Sequence, residues 1–417
     1  MREVFVSIVC LCYNHEKYIK NALDGFMNQR TNFPYEVVVH DDASDDQSAR
    51  IIKEYIDRYP QIIRGIFQDE NLVGQDEGDL VYKLVFNECK GKYVAFCEGD
   101  DFWLDRNKLQ IQIEYMEKNE DCAMTAHNGL RVNYIDNSVD VMNPYDIEKD
   151  ISIDELIMQY NGNLPTASLV VRKEYCILED IYSGVGVGDI LLQMYCITKG
   201  KVHYIDRIMS LYRYARSNSW TSRAMTELKF RTIHYIKMLK FLDGYNESTE
   251  YTYAKIIRKK YWYYIDIILN TYKGLSLDEF DKVCEQLNVK TNGIYNEYCE
   301  KLFRIIHLMF DMSYISDEIR KMIEEYSHIL IMGAGEYGKR LAIQLNNSGY
   351  DFEGFVVSDN QEISNNIDGK NIWHLKSIPY EMENTGIIVA VNYSHWEEVE
   401  VILMERQDIN YIYPFEL

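Results

Sequence analysis

Two groups of carboxylates stand where apolar runs give way to polar turns: Asp41 and Asp42 after "YEVVVH", and Glu98, Asp100 and Asp101 after "YVAFC". Clustered carboxylate oxygens suit a hard divalent cation, Mg²⁺ or Mn²⁺, which takes oxygen ligands and bridges phosphate oxygens. Without a cation such groups repel a diphosphate; with one between them, both charges are neutralised. The competing role is structural, because acidic turn residues cap the helix that follows, and Ser44 and Asp45 stand just ahead of one. Two clusters at neighbouring strand ends, one with three carboxylates in four residues, favour a metal and nucleotide site. His15 and His40 flank the same turns, but the histidines are dispersed and show neither H-x₃-H nor HExxH spacing, so they read as structural. Far downstream, Gly333-Ala334-Gly335-Glu336-Tyr337-Gly338 follows the apolar run Ile329–Met332 and precedes a helix, with Asp359 lying 21 residues beyond Gly338. This GxGxxG loop offers backbone N–H groups and a helix N-terminus to a phosphate. Its alternatives are ligand binding and a purely structural or assembly role.

The elements that position these residues alternate. Val4 to Cys12 is β-branched and apolar, and Tyr18, Ile19, Ala22, Leu23 and Phe26 then follow at helical spacing. "YEVVVH", "IIRGIF" and "KYVAFC" are three further strands, separated by "ARIIKEYIDRYP" and "LVYKLVFNEC", which read as helices. Such alternation implies a mostly parallel sheet whose ligands sit beyond the carboxyl ends of its strands. Mixed α/β character continues through "ASLVVR", the helix "DILLQMYCITKG" and the strand "KVHYID". Long aromatic-rich helical periodicity then runs from about Ala224 to Tyr326, as core or as a face for a second copy, before strands and helices alternate again from Ser327.

Composition narrows the classes. At 417 residues, 47% apolar and 26% charged, the chain has the make-up of a packed protein of more than one domain. With 66 acidic against 44 basic residues and a net charge of −22, nucleic acid is excluded as a partner over most of the surface. The nine cysteines include no CxxC pair and lie mostly in apolar runs, as small core residues of a reducing compartment. The first apolar run lacks a signal-peptide cleavage site, and no stretch of about 18 apolar residues follows it. The expectation is a cytoplasmic protein, free or peripheral at the inner face of the membrane, without a transmembrane segment.

Three blocks, "VSIVCLCYNHEKYIKNAL", "YEVVVHDDASDDQS" and "GKYVAFCEGDDFW", resemble in order and spacing the donor-binding half of bacterial family 2 glycosyltransferases, which are inverting and have the GT-A fold. "PTASLVVRK", "GVGDILLQMYCITKGKVHYID" and "MSLYRYARSNSW" resemble the acceptor half, so the likeness spans residues 4 to 220. The resemblance implies an α/β GT-A type nucleotide-binding domain over 1–222, a helical connector or subdomain over 223–326, and a small Rossmann-like α/β domain over 327–417. It implies metal-dependent transfer of a sugar, with inversion, from a nucleotide-sugar, a UDP-sugar by family precedent, to a hydroxyl of a saccharide, lipid-linked or protein acceptor in surface polysaccharide or glycoconjugate synthesis. A second copy of the chain or other glycan-assembly enzymes are the partners it suggests.

Roles carry over by position. Tyr13 and Asn14 fall where the family lines the base and ribose pocket, and Asp41 or Asp42 where a carboxylate contacts uracil or ribose. Glu98, Asp100 and Asp101 occupy the DXD position: Asp101, with Asp100, holds Mn²⁺ or Mg²⁺, and Glu98 reaches the ribose or orients a metal-bound water. Asp189 sits where the family places its catalytic base, with helix capping as its alternative. The C-terminal glycines 333, 335 and 338 and Asp359 resemble Rossmann domains that bind nicotinamide dinucleotides or nucleotide sugars. One departure stands out: "DENLVGQDEGDLVYKL" is mainly acidic where many members carry a cation for the donor phosphates, with Lys83 the nearest. Arg213 or Arg216 could supply that charge, or lie on a plain surface loop. Trp103 and Trp220 read as core before sugar-stacking. The other class of reading is a catalytically inactive nucleotide-sugar binding or scaffold protein; the intact acidic set and Asp189 argue against it.

Overall fold

In a computed structural model of the chain, the described residues are 3–73, 78–142, 144–159, 164–176, 188–217, 219–272, 275–291, 293–310, 315–359, 366–392, 395–404, 406 and 408–413. They belong to two compact units, Met1–Lys260 and Tyr261–Leu417. No described helix is long and apolar enough to cross a membrane.

The first unit opens with β1 (Val6–Cys12), α1 (Ile19–Met27), β2 (Tyr35–Asp41), α2 (Ser48–Arg58), β3 (Ile63–Phe67), α3 (Gly78–Glu88) and β4 (Tyr93–Phe96). The four strands are parallel, in the order β3-β2-β1-β4. β1 and β2 are buried along nearly their whole length, the condition under which a parallel strand is an unbroken apolar run with no wet face. α1 turns Ile19, Ala22, Leu23 and Phe26 onto this sheet, against Ile8, Cys10, Val37, Val39 and Ala95. Full burial of one such leucine or phenylalanine contributes about 1.5–3 kcal/mol. Register then does the positioning: Cys12 pairs with Asp41, so the turn after β1 lies beside the turn after β2, and Val9 pairs with Phe96, so Glu98 emerges on β1's other side.

Beyond β4 the sheet becomes mixed. It continues with β5 (Phe102–Trp103), α4 (Lys108–Lys118), β6 (Cys122–Asn133), β7 (Val139–Val141), β8 (Lys149–Ile151), α5 (Ile153–Met158), β9 (Val170–Arg172), α6 (Gly188–Lys199) and β10 (Lys201–Tyr214). β9 runs antiparallel to β4 and β6, and β10 lies parallel to β6 with β5 on its far side. Two strands differ from their sequence reading. Ala167 and Ser168 of "ASLVVR" form, with Thr166, a 3₁₀ turn ahead of β9, and "KVHYID" runs on to Tyr214 across exposed Asp206 and Arg207, where the pairing with β6 is irregular. That extension delivers the chain after β10 to the acidic turn after β4. Helices α7 (Trp220–Thr226), α8 (Leu228–Ser248) and α9 (Ala254–Tyr272) follow, and the division between units falls within α9.

The second unit contains α10 (Leu277–Lys290), α11 (Asn296–Phe310), α12 (Asp317–Glu325), β11 (His328–Met332), α13 (Glu336–Asn347), β12 (Gly354–Val357), β13 (Asn366–Ile367), β14 (Lys370–His374), β15 (Thr385–Val389), α14 (Trp396–Met404) and β16 (Asn410–Ile412). Strands β14-β12-β11-β15-β16 are all parallel. Taken in chain order this is 3-2-1-4-5, the Rossmann arrangement, with the small hairpin strand β13 added at one edge. The helical middle region and the C-terminal α/β sheet expected from the sequence are both present.

Candidate active site

Two loops form one wall of the site. Asn14, whose φ is +56°, donates its backbone N–H to Ser44 Oγ at 2.9 Å and accepts from the Asp45 N–H on Oδ1 at 3.0 Å. His15 N–H reaches Ser48 Oγ at 2.8 Å, and Glu16 N–H reaches Asp46 Oδ2 at 2.9 Å. The turn after β1 is therefore stitched to the turn after β2, with Asn14 as part of the stitching and the Tyr13 side chain left 44% exposed. It is Asp46, through Oδ1 on the Ser48 N–H, that serves the start of α2; Ser44 and Asp45 do not.

The two neighbouring aspartates have different work. Asp42 spends both carboxylate oxygens on backbone N–H groups, those of Leu72 at 2.9 Å and Val73 at 3.0 Å, and so pins the loop after β3. Asp41 accepts from Ser44 N–H on Oδ2 at 3.1 Å, while its Oδ1 is buried without a partner. An unpaired buried acceptor costs about 1–3 kcal/mol, a penalty that a donor on a ligand would remove.

Glu98, Asp100 and Asp101 offer oxygens within 4.8 Å of one another, the one acidic or metal-ligand group of this kind among the described residues. Arg213 and Arg216, both 8% exposed, close over it. Arg213 donates its backbone N–H to Asp101 Oδ1 at 2.9 Å and its guanidinium to the Asp100 carbonyl. Arg216 Nε donates to Asp100 Oδ2 at 2.5 Å, and another of its nitrogens meets His15 Nε2. Both guanidinium groups also lie over the Tyr18 ring. Two cations, one at the end of β10 and one just after it, thus stand beside the acidic cluster.

The electrostatics follow from this packing. Burial pushes the Glu98 carboxyl up to about 8, helped by the charges of Asp100 and Asp189. Burial, Asp100 and Glu98 together raise Asp101 well above the carboxylate range. For Asp100 burial is outweighed by the charges of His15 and Arg216 and by the Arg216 hydrogen bond, and its carboxyl is held low. Burial and Arg216 in turn keep His15 below its ordinary value, so the guanidinium is the dependable counter-charge. One carboxylate is thus neutralised by an arginine while the ionised forms of the other two are disfavoured, and three hard oxygen donors, two of them buried, fit a divalent cation that would stabilise the ionised forms.

Asp189 lies in the first turn of α6, accepts from Thr166 Oγ1 at 2.8 Å on Oδ2, and takes the Ile190 N–H on Oδ1. Burial raises its carboxyl, against the Thr166 and Ile190 hydrogen bonds. Its charge acts on Glu98 and on Tyr82 of α3, whose ring lies against Gly188, the residue before Asp189. Tyr82 and Thr166 carry no sequence signal; α3, the turn before β9 and α6 meet only through folding. Trp103 is core, donating to the Ala167 carbonyl and packing edge-on to Phe26. Trp220 instead stands 43% exposed beside Phe230 and His234, because α7 presents it outward.

In the second unit Gly333, at φ +112°, makes the turn after β11, and a Cβ on Gly338 would meet the Gly333 carbonyl oxygen at 1.8 Å. Gly335 faces open space. Asp359 is engaged by the Lys376 N–H at 3.1 Å and its ammonium at 3.0 Å.

Residues 7–150 match the family model "Glycosyl transferase family 2". An uncharacterized protein of Mycobacterium tuberculosis is 36% identical over 226 residues, 54% of this chain and 63% of that relative. An uncharacterized glycosyltransferase of Nostoc sp. is 25% identical over 228 residues, 52% of this chain and 67% of the relative. The chain thus spans just under two thirds of the mycobacterial relatives it matches. Staphylococcus aureus TarS 1–349, solved in complex with UDP-GlcNAc, aligns at 16% identity with a TM-score of 0.44, covering 72% of this chain and 90% of that one. By sequence, residues 7–150 in the N-terminal unit of this chain are similar to glycosyl transferase family 2.

Proposed function

We propose that the chain transfers a sugar from a nucleotide-sugar, a UDP-sugar in the first instance, to an acceptor hydroxyl with inversion, in the synthesis of a surface polysaccharide or glycoconjugate. The observation that supports this reading is the cluster Glu98, Asp100 and Asp101, whose oxygens lie within 4.8 Å of one another, with the charge of Asp189 acting on Glu98. Tyr13 stacks on the base, with Asn14 shaping the pocket edge; the unpaired Asp41 oxygen accepts from the base or ribose; Asp42 contributes by holding the loop that closes the pocket. Asp101 and Asp100 hold Mn²⁺ or Mg²⁺, with Glu98 directed to the ribose or to a metal-bound water. When bound, that cation supplies Lewis acidity to the departing diphosphate. Arg213 and Arg216 add positive charge beside it. Asp189, its carboxyl raised above the ordinary carboxylate value by burial, takes the proton from the acceptor hydroxyl as that oxygen attacks the anomeric carbon opposite the nucleotide.

The three-part division 1–222, 223–326 and 327–417 is proposed with this reading, and the loop Gly333, Gly335, Gly338 with Asp359 is proposed as a nucleotide site of the second unit. For the transfer reading, Asp189→Asn in the full chain separates binding from chemistry. Wild-type affinity for UDP with Mn²⁺, together with turnover reduced at least a hundredfold, is expected. Unchanged turnover would remove Asp189 from the mechanism.

A further inference from the structure

α3 meets α6 at Tyr82 and Gly188. A Cβ placed on Gly188 would lie 2.2 Å from Tyr82 Cε2 and 2.6 Å from its Cζ, so the ring lies against the backbone that carries Asp189 and would have to move for any larger residue at 188. The ring also packs on Phe86, at 5.7 Å between centroids, and Phe86 in turn meets Phe96 at 6.0 Å. Phe96 ends β4, two residues before Glu98. Tyr82 is thereby held between the N-terminus of α6 and the strand end that leads to the acidic cluster.

Its hydroxyl makes no hydrogen bond among the described residues, although a partly buried tyrosine ordinarily finds a partner. Burial, then Asp189, then Glu98 push the phenol well above its ordinary range, so it stays protonated and able to donate. A protonated donor without a hydrogen-bond partner among the described residues, beside two carboxylates that act on opposite sides of the reaction, is available to a ligand.

We propose that Tyr82 contacts the sugar being transferred, donating its hydroxyl hydrogen to an oxygen of that sugar. This rests on the transfer reading above, for the position follows from it: Asp189 works on the acceptor hydroxyl, the Glu98–Asp101 cluster serves the diphosphate, and the group between them is the donor's sugar. The chemical class recognised is a hexose or N-acetylhexosamine with a hydroxyl or acyl oxygen facing α3.

The test uses the full chain as wild type and as Tyr82→Phe, which keeps the ring on Gly188 and removes one oxygen. Affinities with Mn²⁺ are measured by calorimetry for UDP, GDP and dTDP and for their glucose, galactose, N-acetylglucosamine and mannose conjugates. The expected result is unchanged affinity for the free nucleotide and a three- to tenfold loss of the additional affinity conferred by the preferred sugar, the size of one hydrogen bond. An equal loss for nucleotide and nucleotide-sugar would make Tyr82 a packing residue and overturn the proposal. So would an unchanged sugar increment, or a wild type that binds nucleotide and nucleotide-sugar equally. A wild type that binds none of these ligands would overturn the transfer reading itself, an outcome distinct from the other three.

Discussion

Arg216→Gln probes the electrostatic balance of the acidic cluster. The Arg216 and Asp100 side chains are 9% and 12% exposed, and the guanidinium also reaches His15 and the Ser217 carbonyl. Removing one partner of a buried ion pair leaves an uncompensated charge and costs about 3–5 kcal/mol. Asp100 keeps His15 at 3.9 Å and can take up a proton, which places the expectation near the lower end, about 3 kcal/mol. In a unit of this size each kcal/mol moves the midpoint by about 2–4 °C, so the loss is roughly 6–12 °C. Because the missing charge can be replaced, millimolar Mn²⁺ restores a large part of it, more than it stabilises the wild type. Circular dichroism melts in EDTA and in MnCl₂ measure both effects. Arg50→Gln is the control, since its pair with Glu54 is 66% and 53% exposed and is worth at most about 1 kcal/mol. If Arg216→Gln melts no lower than Arg50→Gln in EDTA, or if Mn²⁺ raises both proteins equally, the account of the cluster is wrong.

The aspartates after β2 separate fold from binding: Asp42→Ala, which frees the Leu72 and Val73 N–H groups, is expected to cost about 2 kcal/mol in urea unfolding. Asp41→Asn is expected to stay within about 1 kcal/mol yet weaken UDP binding about tenfold in calorimetry, and the reverse pattern would exchange their roles. Lys108 gives a pH signature, because burial pushes its ammonium down to about 7 from 10.5 in the unfolded chain, with Gln112 as hydrogen-bond partner and the Trp103 ring beneath it. The folded state thus sheds a proton that the unfolded state keeps between those values, so the penalty is full below pH 7 and fades as pH rises toward 10.5. Lys108→Met is therefore expected to gain about 2–4 kcal/mol at pH 6 and little at pH 10, net of the lost Gln112 contact; a gain independent of pH in urea titrations would refute the buried, depressed lysine.

Much of the scaffold was legible in the sequence because parallel strands buried on both faces must be apolar without interruption, as in "VSIVCLC" and "YEVVVH". The acidic cluster was legible because its members are within four residues of one another. What was not legible depends on partners distant in sequence. Nothing local tells Asp42, tied to residues 72 and 73, from Asp41, which keeps a free oxygen. Arg216 meets Asp100 across 116 positions, and only the extended β10 makes the meeting possible; the exposed Asp206 and Arg207 hid that extension from the pattern. Tyr82 looked like an ordinary helix residue because its significance lies in Gly188, on another helix. In the second unit the glycine spacing predicted the turn, whereas the Lys376 clasp on Asp359 is a contact between loops that spacing does not encode.

The central claim is metal-dependent transfer from a nucleotide-sugar, and the most direct measurement is release of free nucleotide from a panel of UDP-, GDP- and dTDP-sugars by the full chain with Mn²⁺, with Mg²⁺ and with EDTA. The account predicts release from one nucleotide-sugar class, UDP-sugars first, that EDTA abolishes and Asp101→Asn suppresses. Release unaffected by EDTA and by Asp101→Asn, or no release and no thermal protection by any donor from a folded protein, would contradict it.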